Sequence, residues 1–371
     1  MKLASRALLF AASCWFAASA WAQAPIDIVP PAAQSAAPKP LRAPRPPAPS
    51  KPKKAAAEKA QPASPAKPKP PQPVTKSAAI PFAPPSVPTG EPDLAYAAYE
   101  SGKYLTAFEE AMRRVNEKGD PKAMTLLGEL YAKGLGVAAD DQKAVAWYSL
   151  ASDRGDREAM FELGMLRLGG RGGPRDDEAG LALLEHAAKL GQIAASYNLG
   201  LLYLGGQQVD QDSGKAAQLL RTAADAGNPE AEYALAMLYK EGRGVPKDLA
   251  ETARLLGAAA RAGNLDAEVE YGIALFNGTG IAKDEAGAVA LFRKAARQGS
   301  PIAQNRLARI LAAGRGVPAD PVAATKWHLI AKAAGENDPW LDSFVGNLKP
   351  AEREAGEKAA KPWLANFPPH S

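Results

Sequence analysis

The sequence is poor in the residues that most often carry chemistry. It has one cysteine, Cys14, and three histidines, His186, His328 and His370. Cys14 lies within the first 22 residues, a leader that processing would remove, so the processed protein would have no disulfide and no thiolate metal site. The histidines stand far apart, without the close pairing that ligates a metal on one helix. His328 follows Trp327 and falls in a leucine column, so it reads as a packed side chain. No serine or cysteine nucleophile is accompanied by a credible base. The sequence therefore predicts no catalytic residue, metal site or cofactor.

A basic folded surface is also missing. Lys2 and Arg6 contribute two positive charges, and residues 23–90 carry ten Lys/Arg against Asp27 and Glu58. The total of +5 then leaves +5 − 2 − 8 = −5 on residues 91–371. A nucleic-acid partner needs the opposite sign on its docking face.

The N-terminal region is distinctive. Residues 1–22 open with Lys2 and Arg6, continue through an apolar run and close on Ala20-Trp21-Ala22. This is the layout of a secretory signal peptide, with an uncleaved anchor as the alternative. It predicts export across an inner membrane, with the periplasm first and the extracellular space second. Residues 23–90 hold 20 of the 33 prolines, mixed with Ala, Lys and Gln. Such a segment has too little apolar surface to fold and reads as a disordered linker. Its lysines could touch an anionic envelope weakly; a solvated tether is the simpler reading.

Beyond residue 119 the chain repeats. Gly119, Gly155, Gly191, Gly227, Gly263, Gly299 and Gly335 stand 36 apart, as do Ala123, Ala159, Ala195, Ala231, Ala267 and Ala303. Asp140, Asp176, Asp212, Asp248, Asp284 and Asp320 keep the same step. A fixed period of this size means stacked supersecondary units. Each unit reads as helix, glycine turn, helix, glycine stop. In the unit that follows Gly227, Asn228-Pro229 starts a helix carrying Ala231, Leu235, Ala236, Leu238 and Tyr239. Gly242-Arg-Gly244-Val245 turns the chain, and Asp248 caps a second helix that stops at Gly263. Gly128, Gly164, Gly200 and Gly272 sit inside first helices, where Gly costs about 1 kcal/mol against Ala. Close approach of the hairpin partner explains them.

These motifs resemble the Sel-1-like repeat family, a branch of the tetratricopeptide-type helical repeats. The likeness rests on Ala195-x-x-x-Leu199-Gly200-x-x-Tyr203-x-x-Gly206, Ala231-x-x-x-Leu235 and Gly242-x-Gly244-Val245-x-x-Asp248. Lys143-Ala144-x-x-Trp147 and Ala259-Ala260-x-x-Gly263 add to it. Two turns depart from the pattern: Gly173 stands where an apolar plug is expected, and Gln208 where a second glycine is expected. The resemblance implies an all-α solenoid, a right-handed superhelix of six repeats over residues 120–335. Residues 91–119 would form a capping hairpin and residues 336–371 a helical cap and tail, in which Trp340, Phe344 and Trp363 pack.

The resemblance also implies a concave groove lined by first helices, and a non-enzymatic adaptor role toward a protein or peptide. One column is Thr125, Phe161, Tyr197, Tyr233, Val269 and Asn305; one turn on stand Glu129, Met165, Leu201, Met237, Ile273 and Arg309. The candidate contact set is Phe161, Met165, Tyr197, Leu201, Tyr233 and Met237, with Asn198, Arg306 and Arg309 at its edge. Aromatics and methionine suit a partner-binding surface. The tyrosine column equally fits packing between units, and the sequence leaves both readings open. The expected protein is a monomeric exported scaffold; the alternative is an envelope-associated structural protein held through its basic Pro-rich arm.

Overall fold

The computed structural model describes residues 93–365. The leader, the Pro-rich linker and the last six residues, with Cys14 and His370, lie outside that range. The described residues contain sixteen helices and no strand. A hairpin, α1 (Leu94–Glu100) and α2 (Tyr104–Lys118), comes first. Six two-helix units follow: α3 (Pro121–Lys133) with α4 (Asp141–Ser152), α5 (Arg157–Gly169) with α6 (Asp177–Lys189), and α7 (Ile193–Gly205) with α8 (Ser213–Asp225). The last three pair α9 (Pro229–Glu241) with α10 (Leu249–Arg261), α11 (Leu265–Asn277) with α12 (Glu285–Arg297), and α13 (Pro301–Ala313) with α14 (Pro321–Ala333). Two helices close the chain, α15 (Pro339–Gly346) and α16 (Pro350–Leu364).

Helix starts follow from the sequence. The carboxylates of Asp140, Asp176, Asp212, Asp248, Asp284 and Asp320 all accept amide hydrogen bonds at the starts of second helices. First helices end on glycines in the left-handed region, from Gly134 through Gly314. Second helices end on a residue other than glycine, with the left-handed glycine just beyond. Ala262 closes α10 in right-handed geometry, and Gly263 takes φ 92° just beyond it.

Packing is between chain neighbours. Each first helix lies against the second helix of its own unit and against that of the preceding unit. This is how a solenoid buries surface that a single unit could not bury alone. Leu199, Leu220, Leu235 and Leu256 are almost fully buried in this way at the centre of the array. The second glycine of the turn supplies the contact between units. A Cβ on Gly280 would stand 1.9 Å from the Leu249 carbonyl oxygen, at the start of the previous unit's second helix. The capping hairpin receives the same contact, because Gly136 rests on the backbone of Tyr104.

The second helix of the C-terminal cap, α16, continues to Leu364 with Pro362 inside its last turn. Trp363, the next residue, packs edge-on against Trp327 with ring centroids 5.2 Å apart. Gly356 lets α16 close on α14, where a Cβ would meet Thr325 at 2.5 Å.

Candidate functional site

The first helices α5, α7 and α9 bring the aromatic and apolar contact residues into register, since each position recurs after one unit, and Arg306 and Arg309 stand on α13. Met165, Tyr197, Leu201, Tyr233 and Met237 are half-buried and pack along one side of the central core. They thus serve both readings that the sequence left open: one side of each ring or thioether packs and the other meets solvent. Among the described residues the Tyr197 and Tyr233 hydroxyls have no hydrogen-bond partner. Burial raises both phenol pKa values, with Glu230 beside Tyr197, and Asp266 and Glu270 beside Tyr233, adding to the effect.

Three of the predicted residues sit otherwise than the repeat suggests. Phe161 is 6% exposed and belongs to the core wall. Arg306 is 8% exposed, and desolvation lowers its pKa, assisted by the neighbouring Arg309. Arg309 is committed to the C-terminal cap. Its Nε and Nη2 donate to the Asp338 carboxylate at 2.5 and 2.8 Å, and Asn305 Nδ2 donates to the same group at 2.9 Å. The guanidinium also lies over Trp340, 5.4 Å from the ring centroid. A bidentate pair on a nearly buried carboxylate is a structural fastening. Asp338 lies outside the repeat, so the period gave no sign of it. Asn198 donates to the Ala194 carbonyl of its own helix at 2.8 Å and stays half-buried.

The N-terminal part of the row holds a group of acids that the predicted contact set left out. Glu129 on α3 accepts from Tyr99 at 2.6 Å and from Lys133. Glu158 on α5 accepts from Gln192. Glu162, one turn along α5 from Glu158, has no hydrogen bond or ion pair among the described residues. Burial pushes its pKa up to about 7, with Glu158 and Glu129 adding to the shift and Lys133 and Arg171 opposing it. The signal was present in the column Leu126, Glu162, Asn198, Ala234, Glu270 and Arg306, where two acids and one arginine stand among uncharged residues.

Comparison with known proteins places this geometry. The Sel1 repeat pattern matches six consecutive times, at residues 121–156, 157–192, 193–228, 229–264, 265–300 and 301–336. The chain belongs to the Sel1 repeat family. Sel1 repeats typically build scaffolds for protein–protein interaction. Among solved structures, the chain is similar to a Sel1 repeat protein from Oxalobacter formigenes. The identity is 26%, the TM-score 0.55, and the match covers 67% of this chain and 99% of that one. It is also similar to a protective antigen of uropathogenic Escherichia coli that displays the same fold, at 24% identity and a TM-score of 0.49. That match covers 74% of this chain and 68% of the other. No curated protein matches the chain.

Among the described residues, no helix is long and apolar enough to cross a membrane, and no three His, Cys, Asp or Glu side chains group to hold a metal. A depression of about 390 Å³ lies on α15, bordered by Trp340, Phe344 and Leu348, away from the central row. It lacks the titratable groups that gather along the first helices. The first-helix row is the better candidate for a site.

Proposed function

We propose that this Sel1 repeat chain is an exported, non-enzymatic scaffold that holds an extended segment of a partner protein along its first helices. The observation that carries this reading is the half-buried strip of Tyr197, Leu201, Tyr233 and Met237, in register over two successive units. Such side chains offer large contact area at a low ordering cost, and the unpaired phenol hydroxyls can serve a partner backbone. The layout of residues 1–22 supports export to the periplasm, and the protein acts there as a monomer.

Substituting Tyr197→Ala/Tyr233→Ala/Met237→Ala tests the reading. Each residue is only half-buried, so the solenoid keeps its helicity by circular dichroism. Partner capture from an envelope extract falls by about tenfold or more, as expected when contact anchors are truncated. Unchanged capture by a folded variant would remove the site from this row.

A further inference from the structure

The short helix α15 leaves an apolar stripe uncovered at the C-terminal end of the array. Leu341 is its one buried side chain. Polar ties hold the rest: Asp338, at its start, to Arg309 and Asn305, and Asp342 to His328 at 2.8 Å and to Lys332 at 2.7 Å. Trp340, Phe344 and Leu348 stand four residues apart, so they line one side of the helix. The rings of Trp340 and Phe344 lie 12° from parallel, with centroids 6.0 Å apart. With Ser343 and Asn347 these three residues border the depression of about 390 Å³. Trp363 packs on Trp327 as a cap residue should, whereas Trp340 stays 37% exposed.

The chain itself supplies an occupant. Beyond Ala365 it continues for six residues, Asn366-Phe367-Pro368-Pro369-His370-Ser371. Their point of departure is near the stripe. Helices α15 and α16 both pack on α14. Trp363 of α16 meets Trp327 there, and the next residue, His328, bonds Asp342 of α15, beside Ser343. Leu364 and Phe344 pack against one and the same core cluster. Six extended residues span about 20 Å, against roughly 10 Å for the width of a helix. The tail is therefore long enough to reach the stripe.

We infer that residues 366–371 dock on α15, with Phe367, Pro368 and Pro369 against Trp340, Phe344 and Leu348, and so form an internal end cap. Two consecutive prolines hold a backbone extended before any contact is made, so docking loses little entropy. Their rings are apolar and suit an aromatic groove, and Phe367 adds another ring to the cluster. The Asn347 amide at the rim can donate to a carbonyl of the segment. The tether keeps the tail at an effective concentration in the millimolar range, so a contact too weak for a free hexapeptide closes here. Covering the stripe hides apolar surface at an end of the array that no further unit covers, which keeps copies from joining end to end.

The test compares the full chain with a variant that ends at Ala365. Hydrogen exchange of the α15 amides is read by mass spectrometry, and the Trp340 indole N–H by nuclear magnetic resonance. Truncation is expected to speed exchange over residues 341–348 by about tenfold and to leave the repeats unchanged. It also shifts the Trp340 indole resonance, while that of Trp147, in the first unit, stays in place. Phe367→Ser/Pro368→Ser/Pro369→Ser keeps the length of the tail and gives the same two changes. The inference is overturned if truncation leaves both the α15 exchange and the Trp340 resonance as they were. It is overturned too if the serine variant behaves like the parent, since any six residues would then do. Protection of α15 that falls away when the full chain is diluted also overturns it, because the occupant is then a second copy.

Discussion

At the turn edge the units are nearly interchangeable, whereas along the first-helix row they differ. On the edge, Gly172, Gly244, Gly280 and Gly316 all rest on the start of the preceding unit's second helix. Along the row, one column runs Thr125, Phe161, Tyr197, Tyr233, Val269 and Asn305. The difference lies in what each position touches. A turn glycine meets backbone, which is the same in every unit and cannot move aside. A row position meets side chains and solvent, so its identity is free to serve a partner. The third unit marks the boundary of this rule: Gln208 replaces the second glycine there, without left-handed backbone.

The largest expected effect breaks the turn edge. Gly280 has φ 72°, and its Cβ would stand 1.9 Å from the Leu249 oxygen. Gly280→Val adds strain that a β-branched residue cannot relieve and pushes two units apart. We expect a loss of about 3 kcal/mol or more, read as a lower midpoint in urea unfolding. The damage starts in the fourth and fifth units, because a solenoid transmits stability through nearest neighbours. A loss below about 1 kcal/mol would mean that the turn does not lock the units together.

A smaller effect sharpens the other side of the comparison. Glu162 has its pKa raised to about 7 by burial, from a usual value of 4.5. Between those values the folded chain keeps a proton that the unfolded chain releases, so this group lowers stability as pH rises through that window. Above pH 7 the penalty is complete; below pH 4.5 it vanishes. Glu162→Gln should therefore match the parent near pH 4 and exceed it by about 1–3 kcal/mol at pH 8, measured by urea unfolding. Equal stability at both pH values would show that the carboxylate is well solvated. A residue that lowers stability in the free protein is better explained by what it binds than by what it holds together.

How much of this could be read from the sequence depends on the range of the interaction. The capping aspartates and turn glycines act within a few residues, so their types and spacing announce them. The half-buried tyrosines were legible as a column but not as surface, because Tyr197 packs and projects at once. Arg309 was misplaced because its partner Asp338 lies in the cap, where no repeat copy predicts it. Glu162 loses its water to the packing around it, and spacing within the repeat does not report that burial.

Gly200 gives the smallest expected effect and sets the limit of the turn rule. It is a helical glycine, and its Cβ would meet Leu220 Cγ at 2.8 Å and Cδ2 at 3.0 Å, on the partner helix α8. The neighbour here is a side chain, which can shift by a few tenths of an ångström, unlike the carbonyl at Gly280. Ala236 occupies the same place in the next unit and is fully buried, so the fold accepts a methyl group there. Gly200→Ala gains about 1 kcal/mol of helix propensity and spends a similar amount on displacing Leu220. The net change should stay within about 1 kcal/mol in urea unfolding, against 3 or more for Gly280→Val. A loss at Gly200 as large as that at Gly280 would show that hairpin packing is as rigid as the backbone contact between units, and the contrast between the two glycines would vanish.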